Sequence, residues 1–312
     1  MILKHLKNSH SYLIVALMLF SLFFFMPSYF FLESKNSDNI SPFFSVFIVS
    51  LSFLLTTLFA TSLNNLIYEK DVIKKPNFVL SFVFLLLNTP FVINYKMMIF
   101  LFFLLFFLNN LLKLYKQKQP YSIVFNAGTI LSLLSLYIPH TLVLFPLIIL
   151  ATLVFRNIDW RVISISLLSL LVPYFFVWTY QLFFHQKLLF PTFNFNYILI
   201  NFNFSSYPLH HQIWFSVLAI VFLFSVFELF RWMYKKSIRS RESFTIIIFF
   251  LLISVLIFLF TENTESVFLA FIPLSIIIAN FFVYYKKSRL SEFIFILFFF
   301  SSVFCRLSMI NM

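Results

Sequence analysis

Eleven apolar runs, parted by short polar breaks such as the seven residues Phe155–Arg161 (FRNIDWR), take up most of this 312-residue chain. A helix of roughly 20 apolar residues crosses the hydrocarbon core of a bilayer. The chain is 62% hydrophobic and only 10% charged, far from the roughly half apolar and one-quarter charged make-up of soluble domains. A water-soluble fold is excluded. The expected architecture is all-α: a polytopic transmembrane helix bundle of about 11 helices, forming a single integral membrane domain over residues 1–312.

The runs cover about Tyr12–Leu32, Pro42–Ile67, Phe78–Ile93, Met97–Leu112, Tyr121–Ile138 and Thr141–Phe155, then Val162–Phe184, Gln212–Met233, Phe244–Phe260, Val267–Tyr285 and Phe293–Ile310. The first is too long for a signal-peptide core and lacks a small-residue cleavage site, so it reads as a retained helix. Between Phe184 and Gln212 lies the longest connection, 185–211, expected to be an external loop. Its Phe193-Asn194-Phe195-Asn196 and Asn201-Phe202-Asn203-Phe204 alternation reads as an aromatic segment lying at the interface.

Basic residues fix the expected orientation. Eighteen of the 22 Lys and Arg fall in alternate breaks that include the N-terminus, and the other side holds only Lys35, Lys96, Lys187 and Arg306. By the positive-inside rule the N-terminus is cytoplasmic, and an odd number of crossings puts the C-terminus outside. A net charge of +12 distributed in this way is explained by insertion and by anionic lipid headgroups. No nucleic-acid partner is expected; membrane lipids are.

FRNIDWR then becomes a cytoplasmic hairpin. Asp159 is placed to cap the following helix, Trp160 to sit at headgroup level, and Arg161 to pair with Asp159 or lipid phosphate. Arg156 and Arg161 also carry planar forks suited to phosphate. Arg156, Asp159 and Arg161 are therefore the candidates for a ligand or lipid-headgroup site, and the 156–161 hairpin for a protein partner. In the fifth run Asn126 precedes Gly128, the only glycine in the chain, where a missing side chain permits close helix packing. Pro173 predicts a kink in the seventh run.

On the external side the candidates are His185, Lys187, His210, His211 and Arg306. No carboxylate lies at a ligand interval from His210 and His211, and the single Cys305 belongs to no Cys/His spacing, so neither a metal site nor a cofactor is expected. One glycine excludes a phosphate-cradling loop, a dinucleotide fingerprint and a G-x-S-x-G nucleophile elbow.

The succession FNAG (125–128), LSLLSLYIPHTLVLFPLIILATLVFR (131–156) and NIDWRVISISLLSLLVPYFF (157–176) resembles an uncharacterised family of multi-pass inner-membrane proteins of Bacteroidota, family 6427 of the domains of unknown function. The resemblance is densest over Lys113–Phe184. In that resemblance Asn126 stands where many relatives carry Asp. The resemblance implies the bacterial inner (cytoplasmic) membrane and brings no reaction with it.

Three function classes follow. The first is a non-catalytic subunit or scaffold in envelope biogenesis, favoured because no catalytic constellation is present. Another is a glycosyltransferase or polymerase acting on polyprenyl-linked glycans, which needs cations at the outer face to hold a pyrophosphate. The last is a lipid or small-solute transporter, for which no repeat or broken-helix pattern speaks.

Overall fold

The computed structural model describes residues 2–7, 12–35, 42–91, 95–184, 208–261, 264–286 and 288–310. Among them there is no strand and all eleven apolar runs are helical. The α-helices are α1 (Ile2–Leu6), α2 (Tyr12–Lys35), α3 (Pro42–Glu69), α4 (Val79–Asn88), α5 (Tyr95–Lys113), α6 (Tyr121–Tyr137), α7 (Phe145–Val154), α8 (Trp160–Phe183), α9 (Leu209–Met233), α10 (Ile238–Phe260), α11 (Val267–Tyr284) and α12 (Ser288–Ile310). Seven are long and apolar enough to cross a membrane: α3 over Val46–Glu69, α5, α8, α9, α10, α11, and α12 over Arg289–Ser308. Their outward faces remain apolar, as at Phe175, Phe176 and Phe183 of α8 and Leu223, Phe227 and Phe230 of α9. Water does not tolerate so much contiguous apolar surface, whereas lipid does. The chain is an all-helical membrane protein.

Two of the shorter runs owe their length to proline. Ile138 is extended (φ −124°, ψ 98°), as expected of a residue preceding proline. Pro139 therefore ends α6 and opens a 3-10 turn, Pro139–Leu144, before Pro146 sits in the first turn of α7. The ten-residue α7 is about 15 Å long at 1.5 Å per residue. Helix α4 also has ten residues, and every one of them is buried. It is a core helix with no face for lipid.

The helices gather into two compact units. One comprises Met1–Ile99, Asn203–Lys236 and Leu274–Met312. Within it α4 packs on α3, where Phe59 and Phe84 meet at 4.6 Å and Ser81 Oγ donates to the Ala60 carbonyl at 2.8 Å. Helix α9 packs along α12, joined by a hydrogen bond from Trp214 Nε1 to Ser302 Oγ at 3.1 Å. The start of α4 is tied down twice: Phe78 N–H donates to the Leu6 carbonyl at 2.9 Å, and Val79 N–H to Asn77 Oδ1 at 3.0 Å.

The other unit comprises Phe100–Phe202 and Ser237–Pro273, and α6 against α8 is its central pair. Small side chains let the two helices come close. Ser132 Oγ donates to the Leu170 carbonyl at 2.7 Å, and Ser135 Oγ meets Tyr174 Oη at 2.8 Å. Gly128 sits where the approach is closest: a Cβ built on it overlaps Ser169 Oγ and lies 2.8 Å from Ser169 Cβ. Asn126, expected in the same packing, is exposed, and buried Ala127 stands beside Gly128 instead. Residues i and i+2 on a helix face different ways, which separates the two. Pro173 is buried inside α8, and the helix runs on through it to Phe183.

Candidate functional site

The Phe155–Arg161 hairpin is built by helix ends. Helix α7 closes in a Schellman arrangement: Asn157 N–H reaches the Thr152 carbonyl at 2.8 Å, and Arg156 N–H reaches that of Leu153 at 3.1 Å. The position that closes such a motif has positive φ and is usually glycine. Here it is Arg156, with φ 58°. A left-handed backbone turns the arginine away from the helix, leaving it exposed. Three residues on, Asp159 is the N-cap of α8, its Oδ1 accepting from Trp160 N–H at 2.7 Å. Trp160 itself is 77% exposed, as suits a ring at the headgroup level.

Asn157 fastens the hairpin, since its Nδ2 donates to the Leu114 carbonyl at the end of α5, at 2.5 Å. Phe155 is buried edge-on against Tyr115, at 5.6 Å between centroids. The Lys116 ammonium and the Arg239 guanidinium lie 5.5 and 5.4 Å from the centroid of that Tyr115 ring. Between the α5 end and the hairpin runs an open groove lined by Lys116, Gln117, Lys118, Pro120, Tyr121, Arg156, Asn157, Ile158, Asp159 and Val162. Three cations line it against a single carboxylate, and that carboxylate already accepts the cap bond. The groove is suited to an anionic group. Arg161 is exposed but does not line it.

In the other unit a second basic cluster assembles around Tyr284. Lys236 Nζ sits 3.9 Å above the Tyr284 ring and 5.0 Å from that of Trp232, while Lys75 Nζ lies 5.4 Å from Tyr284. The hydroxyl of Tyr284 accepts from Lys74 N–H at 3.1 Å. Burial, with the charges of Lys75 and Lys74 added, holds the Lys236 ammonium below the usual lysine range. Burial and Lys75 do the same to Lys7. Cations crowded in this way favour an anion among them.

The external candidates are placed differently from one another. His185 and Lys187 lie outside the described residues, as does the Phe/Asn alternation. Arg306, expected at the outer surface, is buried within α12, at 5% exposure. Its Nη1 donates to the Thr89 carbonyl at 3.3 Å, beside a cavity about one water in size that Asn88, Thr56 and Ser21 also line. His210 and His211 belong to the first turn of α9, not to the preceding loop, and Cys305 of α12 lies against them. Sequence spacing could not bring out that meeting, because 94 residues separate His211 from Cys305.

The model of a family described as "Family of unknown function (DUF6427)" matches residues 1–311. The chain belongs to this family. Membership therefore extends well beyond the Lys113–Phe184 stretch that carries the densest resemblance. No curated protein matches the chain, and no solved structure does.

Proposed function

We propose that this member of the family is a non-catalytic subunit or scaffold of the bacterial inner membrane, working in envelope biogenesis and docking an acidic segment of a protein partner at the Phe155–Arg161 hairpin. The groove carries the reading. Lys116, Lys118 and Arg156 face a space whose only carboxylate, Asp159, is taken up as a helix cap. The Asn157 to Leu114 bond holds that space open independently of any ligand, so binding does not have to order the hairpin. In this reading the chain crosses the membrane about eleven times, with a cytoplasmic N-terminus and an external C-terminus. The excess of Lys and Arg on one side supports that orientation. Burial of Arg306 weighs against the glycan-polymerase alternative, since it removes one of the few outer cations available to a pyrophosphate.

The test is a photo-crosslinking residue at exposed Ile158 in the full chain, expressed in its own membrane, followed by mass spectrometry of the adduct. A stoichiometric protein adduct, lost in a Lys116→Glu, Arg156→Glu variant that still inserts, is the expected result. Crosslinks to lipid alone, or a protein adduct indifferent to charge reversal, would overturn the reading. A cysteine beside the hairpin that is labelled only from the periplasm would overturn the orientation.

A further inference from the structure

His210, His211 and Cys305 are brought together by the pairing of α9 with α12. One ligand atom from each of the three lies within 4.8 Å of the others. Cys305 Sγ and His211 Nδ1 are 3.7 Å apart, and the two imidazole rings are 4.6 Å apart. Metal–sulfur and metal–nitrogen bonds of about 2.3 and 2.0 Å, opening at a tetrahedral to trigonal angle, separate S from N by about 3.5–3.7 Å. Cys305 and His210 are buried and His211 is half-buried.

The framework around them is fixed. One turn on along α9 and one turn back along α12, fully buried Trp214 donates to Ser302 and meets Phe91 edge-on. Such packing sets the helix register that a coordination site needs.

We propose that His210, His211 and Cys305 form a three-coordinate site for a soft monovalent metal ion, Cu(I). Thiolate with imidazole is a donor set for Cu(I) and Zn(II) alike, and charge separates the two. One thiolate, two neutral imidazoles and Cu(I) sum to zero. With Zn(II) the same ligands leave a net positive charge, one residue from the buried guanidinium of Arg306. In an interior of low dielectric, adding positive charge beside an existing cation is unfavourable. As the ion binds, the S–H bond of Cys305 breaks, its proton leaves to solvent and the S–Cu bond forms. Copper enters and stays as Cu(I), so no electrons move.

The experiment uses the full chain in detergent, kept anaerobic and reduced, with Cu(I) supplied against a competing Cu(I) chelator. The expected result is one Cu(I) retained per chain, with one sulfur and two nitrogen neighbours by X-ray absorption. A single thiolate-to-copper ultraviolet band is expected too, assignable to Cys305 because the chain has no other cysteine. Cys305→Ser should abolish the band. His210→Gln, His211→Gln should weaken retention about tenfold or more, in line with the effect of far milder changes at metal sites, and His140→Gln should leave it unchanged. A wild-type spectrum with only nitrogen and oxygen neighbours would overturn the site whatever the variants do. So would copper retention equal in all variants. Displacement of Cu(I) by an equal concentration of Zn(II) would overturn the choice of a monovalent ion.

Discussion

Gly128→Ala tests the reading of the α6–α8 contact. Helix propensity alone favours the change, since alanine is better than glycine in a helix interior by about 1 kcal/mol. Packing opposes it. The new Cβ overlaps Ser169 Oγ and lies 2.8 Å from Ser169 Cβ. Rotating the hydroxyl removes the first clash but gives up its 2.7 Å bond to the Ser166 carbonyl, a loss of roughly 0.5–1.5 kcal/mol. The second clash is with an atom that no rotation moves. The helices must separate by a few tenths of an ångström, which loosens Ser132 to Leu170 and Ser135 to Tyr174 as well. Overpacking of this kind costs about 1–3 kcal/mol, so the net expectation is a loss of about 2 kcal/mol. Unfolding in mixed micelles by titration of a denaturing detergent, followed by tryptophan fluorescence, measures it. The companion Ser169→Gly should restore most of the loss in the Gly128→Ala background, with a favourable coupling of about 1–3 kcal/mol across the double-mutant cycle. A Gly128→Ala protein as stable as its parent, or more stable by the propensity difference, would refute the close contact.

Arg156→Gly should keep or raise stability by up to about 1 kcal/mol, because glycine accepts the left-handed backbone without the penalty an L side chain meets there. Arg156→Val should lower it, and the same detergent titration reads both. Asn157→Ala should lower stability by about 1–3 kcal/mol, since the Leu114 carbonyl loses its donor; unchanged proteolytic resistance of the hairpin would contradict this. Asn280, fully buried in α11, has neither amide atom hydrogen-bonded among the described residues, and Asn280→Leu should stabilise by about 1–3 kcal/mol. Lys7 and Lys236 are held below the usual lysine range in the folded protein. Between those depressed values and the ordinary one near 10.4 the unfolded chain binds more protons, so stability should rise with pH through that window. Lys236→Met should flatten the rise in melting temperature, and a fall with pH would refute the sign.

Membrane class, helical content and the eleven apolar runs were legible because hydropathy acts through local sequence alone. The Asp159 cap was legible too, as an acid placed just before an apolar run. Crossing length was harder to read. Thr141–Phe155 looks like one run, but its first four residues belong to the 3-10 turn Pro139–Leu144, leaving a ten-residue α7, and Phe78–Ile93 contains a wholly buried ten-residue helix. Burial on every side reads in sequence just as lipid exposure does. The His210–His211–Cys305 cluster and the Asn157 tether were invisible for another reason: each joins residues far apart in the chain, and no local spacing encodes the helix pairing that brings them together.

Scarcity of glycine explains the least expected feature of the basic faces. Helices that end in a Schellman motif need one left-handed residue, and the chain's only glycine is spent inside α6. At the end of α3 the position is filled by Asp71, φ 56°, with Val72 N–H on the Ile67 carbonyl and Asp71 N–H on that of Tyr68. At the end of α7 it is filled by Arg156, and Lys116 adopts φ 58° just beyond α5. A side chain at such a position projects off the helix end, where only polar groups are tolerated beside water and headgroups. Polar residues are thereby placed at fixed points off the helix ends, and two of them, Lys116 and Arg156, flank the hairpin. Lys116 and Arg156 line the groove because two helices end beside each other without glycine. A Lys116→Gly, Arg156→Gly protein should fold at least as well as its parent while losing the Ile158 crosslink to a partner. Loss of folding in that variant would show instead that the two side chains hold the hairpin together.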